Sequence, residues 1–433
     1  MIKKLLFVLI ALVVINTQAQ EGTTSPYSFY GIGSLKFKGT VENRSMGGLS
    51  VYTDSIHINL KNPASYAGQN LSSFGGTNRP VKFTVGGSHN SLKLKTDEVE
   101  EKTSTTTFDY LAMAIPMGKF GLGIGLFPYT SVGYKLESFN GDDITNRYRG
   151  EGGLNKVFLS LGYQLSQDLS IGVDANYDFG NIRNSSIVFL YDADGNLVQY
   201  QSREENRSDL SGLNYNFGLS YKKMISPKLE MIAGLTFAPE FNLSSLNQRT
   251  FSSITINTFT GTEITQNTID DTLSENEKET DLTIPSKYSF GLGLGQPKKW
   301  FIGAEYTSQN TSEFYNDFLG SAGSVYEDGT TINIGGFLIP NYKSLTSYWK
   351  RVVYRAGVKM ENTGLNINSE SIKEFGISFG VGLPVGSVFS NTNFGFEIGK
   401  RGTTSKNLIQ ENFVNFQLSL SLNDRWFERR KYD

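Results

Sequence analysis

Between residues 80 and 424 the chain alternates apolar and polar positions with a period of two. From Leu169 to Gly180 the odd positions are Leu, Ile, Val, Ala, Tyr and Phe, while the even ones are Ser170, Gly172, Asp174, Asn176, Asp178 and Gly180. The same split sets Val157, Leu159, Leu161 and Tyr163 against Ser160, Gly162 and Gln164, and Phe416, Leu418, Leu420 and Leu422 against Gln417, Ser419, Ser421 and Asn423. Successive side chains of a strand point to opposite faces, so each run predicts a strand with one apolar face. Strand centres fall near residues 86, 111, 124, 160, 175, 217, 233, 290, 303, 334, 356, 379, 396 and 418, fourteen in all. An even number brings both ends of the sheet to the same side.

Alternation alone does not say which face points outward, because a soluble sandwich hides the same apolar face inside. The connections decide. Short turns at Met117-Gly118-Lys119, Ser166-Gln167-Asp168, Ser226-Pro227-Lys228 and Gln296-Pro297-Lys298 alternate with long polar segments near 137–153, 181–211, 238–282 and 308–330. Short turns on one side and long loops on the other mark a transmembrane barrel of the outer-membrane type, with the short turns periplasmic. Aromatics at strand ends (Phe127, Tyr129, Tyr134, Tyr288, Trp300, Tyr348, Trp349, Trp426, Phe427) are placed as an interfacial girdle. The fold class is therefore all-β, an antiparallel barrel of about fourteen strands.

The first nineteen residues read as an export signal: Lys3 and Lys4, an apolar run from Leu5 to Ile15, then Thr17-Gln18-Ala19. The run is far shorter than the roughly 20 residues of a spanning helix. With 0 Cys in the sequence there are no disulfides, no thiol nucleophile and no cysteine-ligated metal. Loss of the two signal lysines takes the formal charge of −2 to −4, a balance in which nothing suggests nucleic acid, and no nucleic-acid partner is expected. Composition points the same way as the pattern: 46 Gly, 22 Tyr and 30 Phe with only 38% hydrophobic residues suit a barrel in which alternate positions alone need be apolar.

Ahead of the strands lies Asn43 to Ala67, a stretch that is neither strand nor amphipathic helix. Its small residues, Ser45, Gly47, Gly48 and Ser50, permit close backbone packing, and Asn62-Pro63-Ala64 closes it with a turn. Followed by some 350 residues of strands, it reads as a plug threaded into the barrel. With its Asp54-Ser55-Ile56 element and the Asn-Pro-Ala tripeptide, the stretch resembles the N-terminal hatch of the FadL-type outer-membrane transport family. Ile284 to Gly293 is similar to that family's proline-led strand, Ala304-Glu305-Tyr306 to the next one, and Tyr354-Arg355-Ala356-Gly357 with Trp426 to Lys431 to versions found in Bacteroidota members. The basic tail after Phe427 departs from barrels that end on an aromatic residue. The resemblance implies a fourteen-stranded barrel passing long-chain fatty acids or other hydrophobic compounds. The division is then a signal at 1–19, an N-terminal segment and hatch at 20–79, a barrel at 80–424 and a periplasmic tail at 425–433.

The hatch residues singled out are Arg44, Gly47, Gly48, Asp54, Asn62, Pro63 and Ala64. In the third strand, Phe127-Pro128-Tyr129 interrupts the ladder, since proline has no N–H to donate. Pro128 marks either the extracellular end of that strand or, as the resemblance implies, an inward kink that opens a lateral gate. The presumed lumen carries Asp174, Asp178, Glu230, Glu305, Arg355, Lys359, Glu361 and Glu397, charges tolerated there and costly against lipid. They either pair with hatch residues such as Arg44 and Asp54 or simply fill a wet interior with ion pairs. Gly291, Gly293 and Gly295 alternate along a strand, with no helix behind them to make a phosphate loop, and are expected to leave room for the hatch.

Asp192-Ala193-Asp194-Gly195-Asn196 matches the start of a calcium loop, but position twelve is Arg203 where a glutamate is needed, and a turn explains the run. Only His57 and His89 are present, which leaves no basis for a catalytic triad. No catalytic residue, metal or cofactor is expected. The sequence thus predicts an outer-membrane barrel for passive uptake of hydrophobic, fatty-acid-like compounds through a plugged lumen with lateral exit. Its partners would be outer-membrane lipid and a hydrophobic small-molecule ligand. The alternative is a structural or docking subunit of an outer-membrane machine, such as a type IX secretion complex, with an outer-membrane protein as partner and no transport. A continuous apolar tunnel would favour the first, and a lumen sealed by hatch and charged side chains the second.

Overall fold

Fourteen antiparallel strands close on themselves, as the two-residue period requires. We number them along the wall: β1 (Val81–Lys95), β2 (Glu100–Met117), β3 (Phe120–Pro128), β4 (Asp143–Gln164), β5 (Leu169–Val188), β6 (Gln201–Ser226), β7 (Leu229–Ala238), β8 (Lys287–Gln296), β9 (Trp300–Gln309), β10 (Gly329–Leu338), β11 (Val353–Ile367), β12 (Glu370–Pro384), β13 (Asn391–Arg401) and β14 (Gln410–Asp424). Each neighbour pairs antiparallel with the next, and β14 returns to β1 from Val81↔Asp424 to Lys95↔Gln410. Closure pairs the first and last strands with each other, the condition for strands to span a bilayer, and among the described residues an unpaired edge is left where β3 ends. The computed structural model describes residues 22–54, 56–67, 81–257, 260–270, 272–316, 318, 324–385 and 391–424. The signal at 1–19 and the tail at 425–433, with Trp426 and Phe427, lie outside the described residues.

Burial fixes the faces. Ile171, Tyr177 and Phe179 are 40%, 46% and 37% exposed while Asp174, Asn176 and Asp178 on alternate positions are 3%, 2% and 0% exposed. A soluble sandwich would show the reverse. The apolar faces of β4 to β6 and of β12 to β14 form the outer surface, as a lipid-facing band requires.

Two expectations need correction. The long polar segments are largely strand. β6 alone runs 26 residues, well beyond the roughly 10 a barrel strand needs to cross. Its outer end pairs with a further strand, Phe241–Ile256, which also binds Glu263–Ile269 and Glu279–Ile284. Antiparallel neighbours already in register extend the ladder past the membrane, and the polar sequence reflects water on both faces there. The girdle is also narrower than expected. Tyr288, Tyr348 and Trp349 are exposed, but Phe127 and Tyr134 are buried. Phe127 lies on the same inward face of β3 as Gly121, Gly123 and Gly125, and packs on Phe158.

Among the described residues the wall is incomplete where β3 ends. β3 stops at Pro128, and the chain resumes at Thr130–Asn140, which pairs with the outer half of β4 and with Ser34–Leu35 of the N-terminal segment. β2 pairs with β3 only as far as Leu111↔Leu126, so Glu100–Tyr110 has a ladder partner on its β1 side alone among the described residues. The result is a seam in the outer half of the barrel.

Candidate functional site

The interior of the barrel is occupied by residues 22–67. Thr40 starts a helical turn, α1 (Val41–Arg44), its backbone N–H and hydroxyl both donating to Asn43 Oδ1 at 3.2 and 3.0 Å. Gly47 and Gly48 end it with φ of +70° and +88°, a conformation that costs glycine nothing. The Gly47 N–H donates to Ser378 Oγ of β12 at 2.8 Å. Asn62 stands before a 3-10 turn at Pro63–Tyr66, accepting from Ala64 N–H at 3.0 Å and donating to the Leu219 carbonyl of β6 at 3.0 Å.

Glycines in the wall face these contacts. A Cβ on Gly335 or Gly357 would collide with the Met46 backbone, and one on Gly162 or Gly172 with the chain at Pro63 to Ala67. Gly291 likewise yields to Val51, but Gly293 and Gly295 make room for Phe301 on the neighbouring strand β9 and not for the hatch. Their periodicity gave no hint of that difference, because the intruding ring comes from another strand.

Charges bind hatch to wall. Arg44 Nε donates to Glu397 Oε2 at 2.8 Å, and that carboxylate also accepts from Asn415 at 3.0 Å. Glu305 accepts from Ser50 N–H and Oγ at 2.9 and 2.7 Å and lies 3.3 Å from Lys61 Nζ. Asp174 lies 4.0 Å from Lys38, and Asp178 3.4 Å from Lys156. Lys359 joins Glu361 at 2.6 Å and Glu374 at 2.7 Å, and Glu374 also holds Arg401. Glu230 pairs with Lys222 at 3.5 Å. Arg355 takes a neutral partner, Asn393, at 3.1 Å. In the hatch, burial pushes the Lys38 ammonium down to about 8, an effect that the Asp174 carboxylate partly offsets.

Asp54 turns inward on the hatch itself. Its carboxylate accepts from the Ile56 and His57 N–H groups at 2.7 Å each and from the His57 ring at 2.7 Å. Burial acts to raise its pKa, but the His57 ring and Lys82 outweigh it and hold the carboxyl well below the usual range. The other ring nitrogen of His57 lies 3.6 Å from Glu42, a buried carboxylate of α1 that also accepts from Asn393, Ser419 and Ser421. Beside this cluster is a cavity of about 110 Å³.

Above the hatch lies a chamber of about 300 Å³ that reaches Pro128 and Tyr129 at the seam. Its lining and their direct partners include eight cations (Lys36, Lys38, Arg44, Lys61, Lys156, Lys287, Lys359, Arg401) and eight acids (Asp109, Asp174, Asp178, Glu305, Glu361, Glu374, Glu397, Glu411). Amides of Asn176, Asn214, Asn216 and Asn333 fill between them. Six of the eight cations lie within 4.0 Å of a carboxylate. Sequence reading missed Glu42, Lys61, Lys156, Glu374, Arg401 and Glu411. Lys156, Glu374 and Glu411 stood on the polar face of alternating strands, which was the available signal.

Outside the barrel, Asp192 accepts from the N–H groups of Asp194 and Asn196 at 3.0 and 2.8 Å, and Gly195 sits at φ +81°. Its oxygens close a turn.

A model of the family described as BamG matches residues 1–433. The chain belongs to the BamG family. No curated protein matches it. Among solved structures this BamG-family chain is similar to the Ralstonia pickettii toluene transporter TbuX, at 16% identity and TM-score 0.58, covering 90% of this chain and 99% of that one. A Pseudomonas aeruginosa FadL homologue shares 12% identity at TM-score 0.59, covering 91% and 99%. The Pseudomonas putida toluene transporter TodX shares 16% at TM-score 0.56, covering 92% and 100%. Identities this low establish a shared barrel fold, in agreement with the FadL-type resemblance of the sequence.

Proposed function

We propose that this BamG-family barrel is a structural or docking subunit of an outer-membrane machine and has no catalytic role. The observation that carries this reading is the lumen. A passage for a hydrophobic compound needs continuous apolar walls, whereas the chamber above the hatch sets eight cations and four acids among its apolar residues Phe37, Tyr129, Phe241, Ile284 and Phe413, and six of those cations pair with a carboxylate of the lining or directly behind it. Moving an apolar molecule through it would mean separating ion pairs in a low-dielectric interior, where an unpaired charge costs several kcal/mol. The extended outer sheet built on β4 to β6 and Phe241–Ile256 offers a continuous hydrogen-bonded surface for a protein partner.

A second reading has one specific observation behind it, the seam where β3 breaks at Pro128 and the chamber meets the wall. On that reading a hydrophobic, fatty-acid-like compound enters from the extracellular side and leaves sideways. Native mass spectrometry of the protein extracted from its own outer membrane separates the two. A complex of fixed stoichiometry with a second outer-membrane protein supports docking. A lone barrel carrying adducts of single acyl-chain mass overturns it in favour of uptake.

A further inference from the structure

The outer wall carries an uneven distribution of charge at the upper rim of the lipid-facing band. Strand register aligns Ile332, Met360, Phe375, Lys400, Asn412, Lys93 and Lys102 in one outward row across β10 to β14 and on to β1 and β2. The row beneath it is apolar, Ile334, Val358, Ile377, Ile398 and Val414. One step above stand Lys373 and Lys95. Ile332, Met360 and Phe375 are 41%, 41% and 39% exposed and form the floor of a groove of about 530 Å³ whose lining includes Lys373 and Lys400 together with Glu361, Glu370 and Glu374, carboxylates already paired with Lys359, Lys406 and Arg401.

These lysines differ from the arginines across the barrel. On β4 to β6, Arg149 lies 3.0 Å from Glu263, Arg183 3.8 Å from Glu151, Arg203 3.2 Å from Glu205 and Arg207 2.9 Å from Asp209. On the other wall Lys93 lies 2.6 Å from Glu100, which also stands opposite Lys95, and Lys406 lies 3.9 Å from Glu370, whereas Lys102, Lys373 and Lys400 stand in no ion pair among the described residues. A lysine bordering hydrocarbon is costly unless its ammonium reaches a polar layer, and it gains most where that layer is anionic.

We propose that this wall holds a phosphorylated lipid of the outer leaflet, with the phosphate between Lys373 and Lys400 and an acyl chain along Ile332, Met360 and Phe375. The site follows from the outer-membrane placement and is independent of whether the lumen transports. Its test is native mass spectrometry of the delipidated full-length barrel, titrated with bisphosphorylated lipid A. The double variant Lys373→Gln/Lys400→Gln is expected to bind about thirtyfold more weakly, at the strength typical of two basic residues on an anionic lipid surface. Arg183→Gln/Arg207→Gln, on the paired wall, should leave binding unchanged. Unchanged binding by the lysine variant, equal binding of dephosphorylated lipid A, or full displacement by millimolar inorganic phosphate would each overturn the proposal. Heat-modifiable migration of both variants confirms that the barrels compared are folded.

Discussion

Arg44 of the hatch and Glu397 of β13 meet through a 2.8 Å hydrogen bond although they are separated by 353 positions in sequence. Arg44 is held in a helical turn and Glu397 in a strand, so the pair fixes the hatch at one height in the barrel. Both lie in an interior where a single unpartnered charge is more damaging than the absence of both.

Arg44→Met should therefore destabilise the seated hatch by roughly 3 kcal/mol, because it leaves Glu397 buried with Asn415 as its remaining donor. Hydrogen exchange over residues 40–48 would rise in the single variant. The double variant Arg44→Met/Glu397→Met is expected to recover much of the loss. Equal exchange in wild type and Arg44→Met would refute the latch.

Gly172→Val should unseat the hatch without unfolding the barrel. A side chain there meets the Pro63 carbonyl and Ala64 nitrogen, a backbone contact that cannot rotate away, while valine suits the strand itself. Overpacking of this kind costs roughly 1–3 kcal/mol or more. Trypsin cleavage after Lys61 is the readout, with retained heat-modifiable migration as the control.

Asp54→Asn gives a pH-dependent outcome. The folded-state pKa is depressed, so its contribution is present above the unfolded value of about 3.9 and is lost as pH falls below it. At neutral pH the variant should loosen residues 50–62 by roughly 1–3 kcal/mol in hydrogen exchange. Below about pH 4 the difference should start to shrink, and wild type and variant converge only as pH falls on through the depressed folded-state value.

Liposomes containing the protein should admit a membrane-sequestered hydrophobic dye no faster than empty ones, and Pro128→Val should change nothing. Dye influx that is abolished by Pro128→Val would move the assignment to uptake through the seam.

Some features were legible because they are local. The period-two pattern placed all fourteen strand centres inside observed strands, since the choice of face at each position depends only on what the strand touches. The inward charges at Asp174, Asp178, Glu305 and Glu397 were readable for the same reason. Partners were not: Lys61 for Glu305 and Lys38 for Asp174 come from a hatch whose path through the lumen leaves no periodic trace.

By itself the sequence determined a barrel of even strand number, its apolar outer face, its short turns and a small-residue segment able to fit inside. Each is a matter of period, backbone freedom or residue size within a few positions. Only the tertiary structure decided that the long polar segments are strands, that β3 breaks at Pro128 to leave a seam, and that hatch and wall charges neutralise one another. Register and ion pairing join residues hundreds of positions apart, and chain closure brings them together only once the barrel exists.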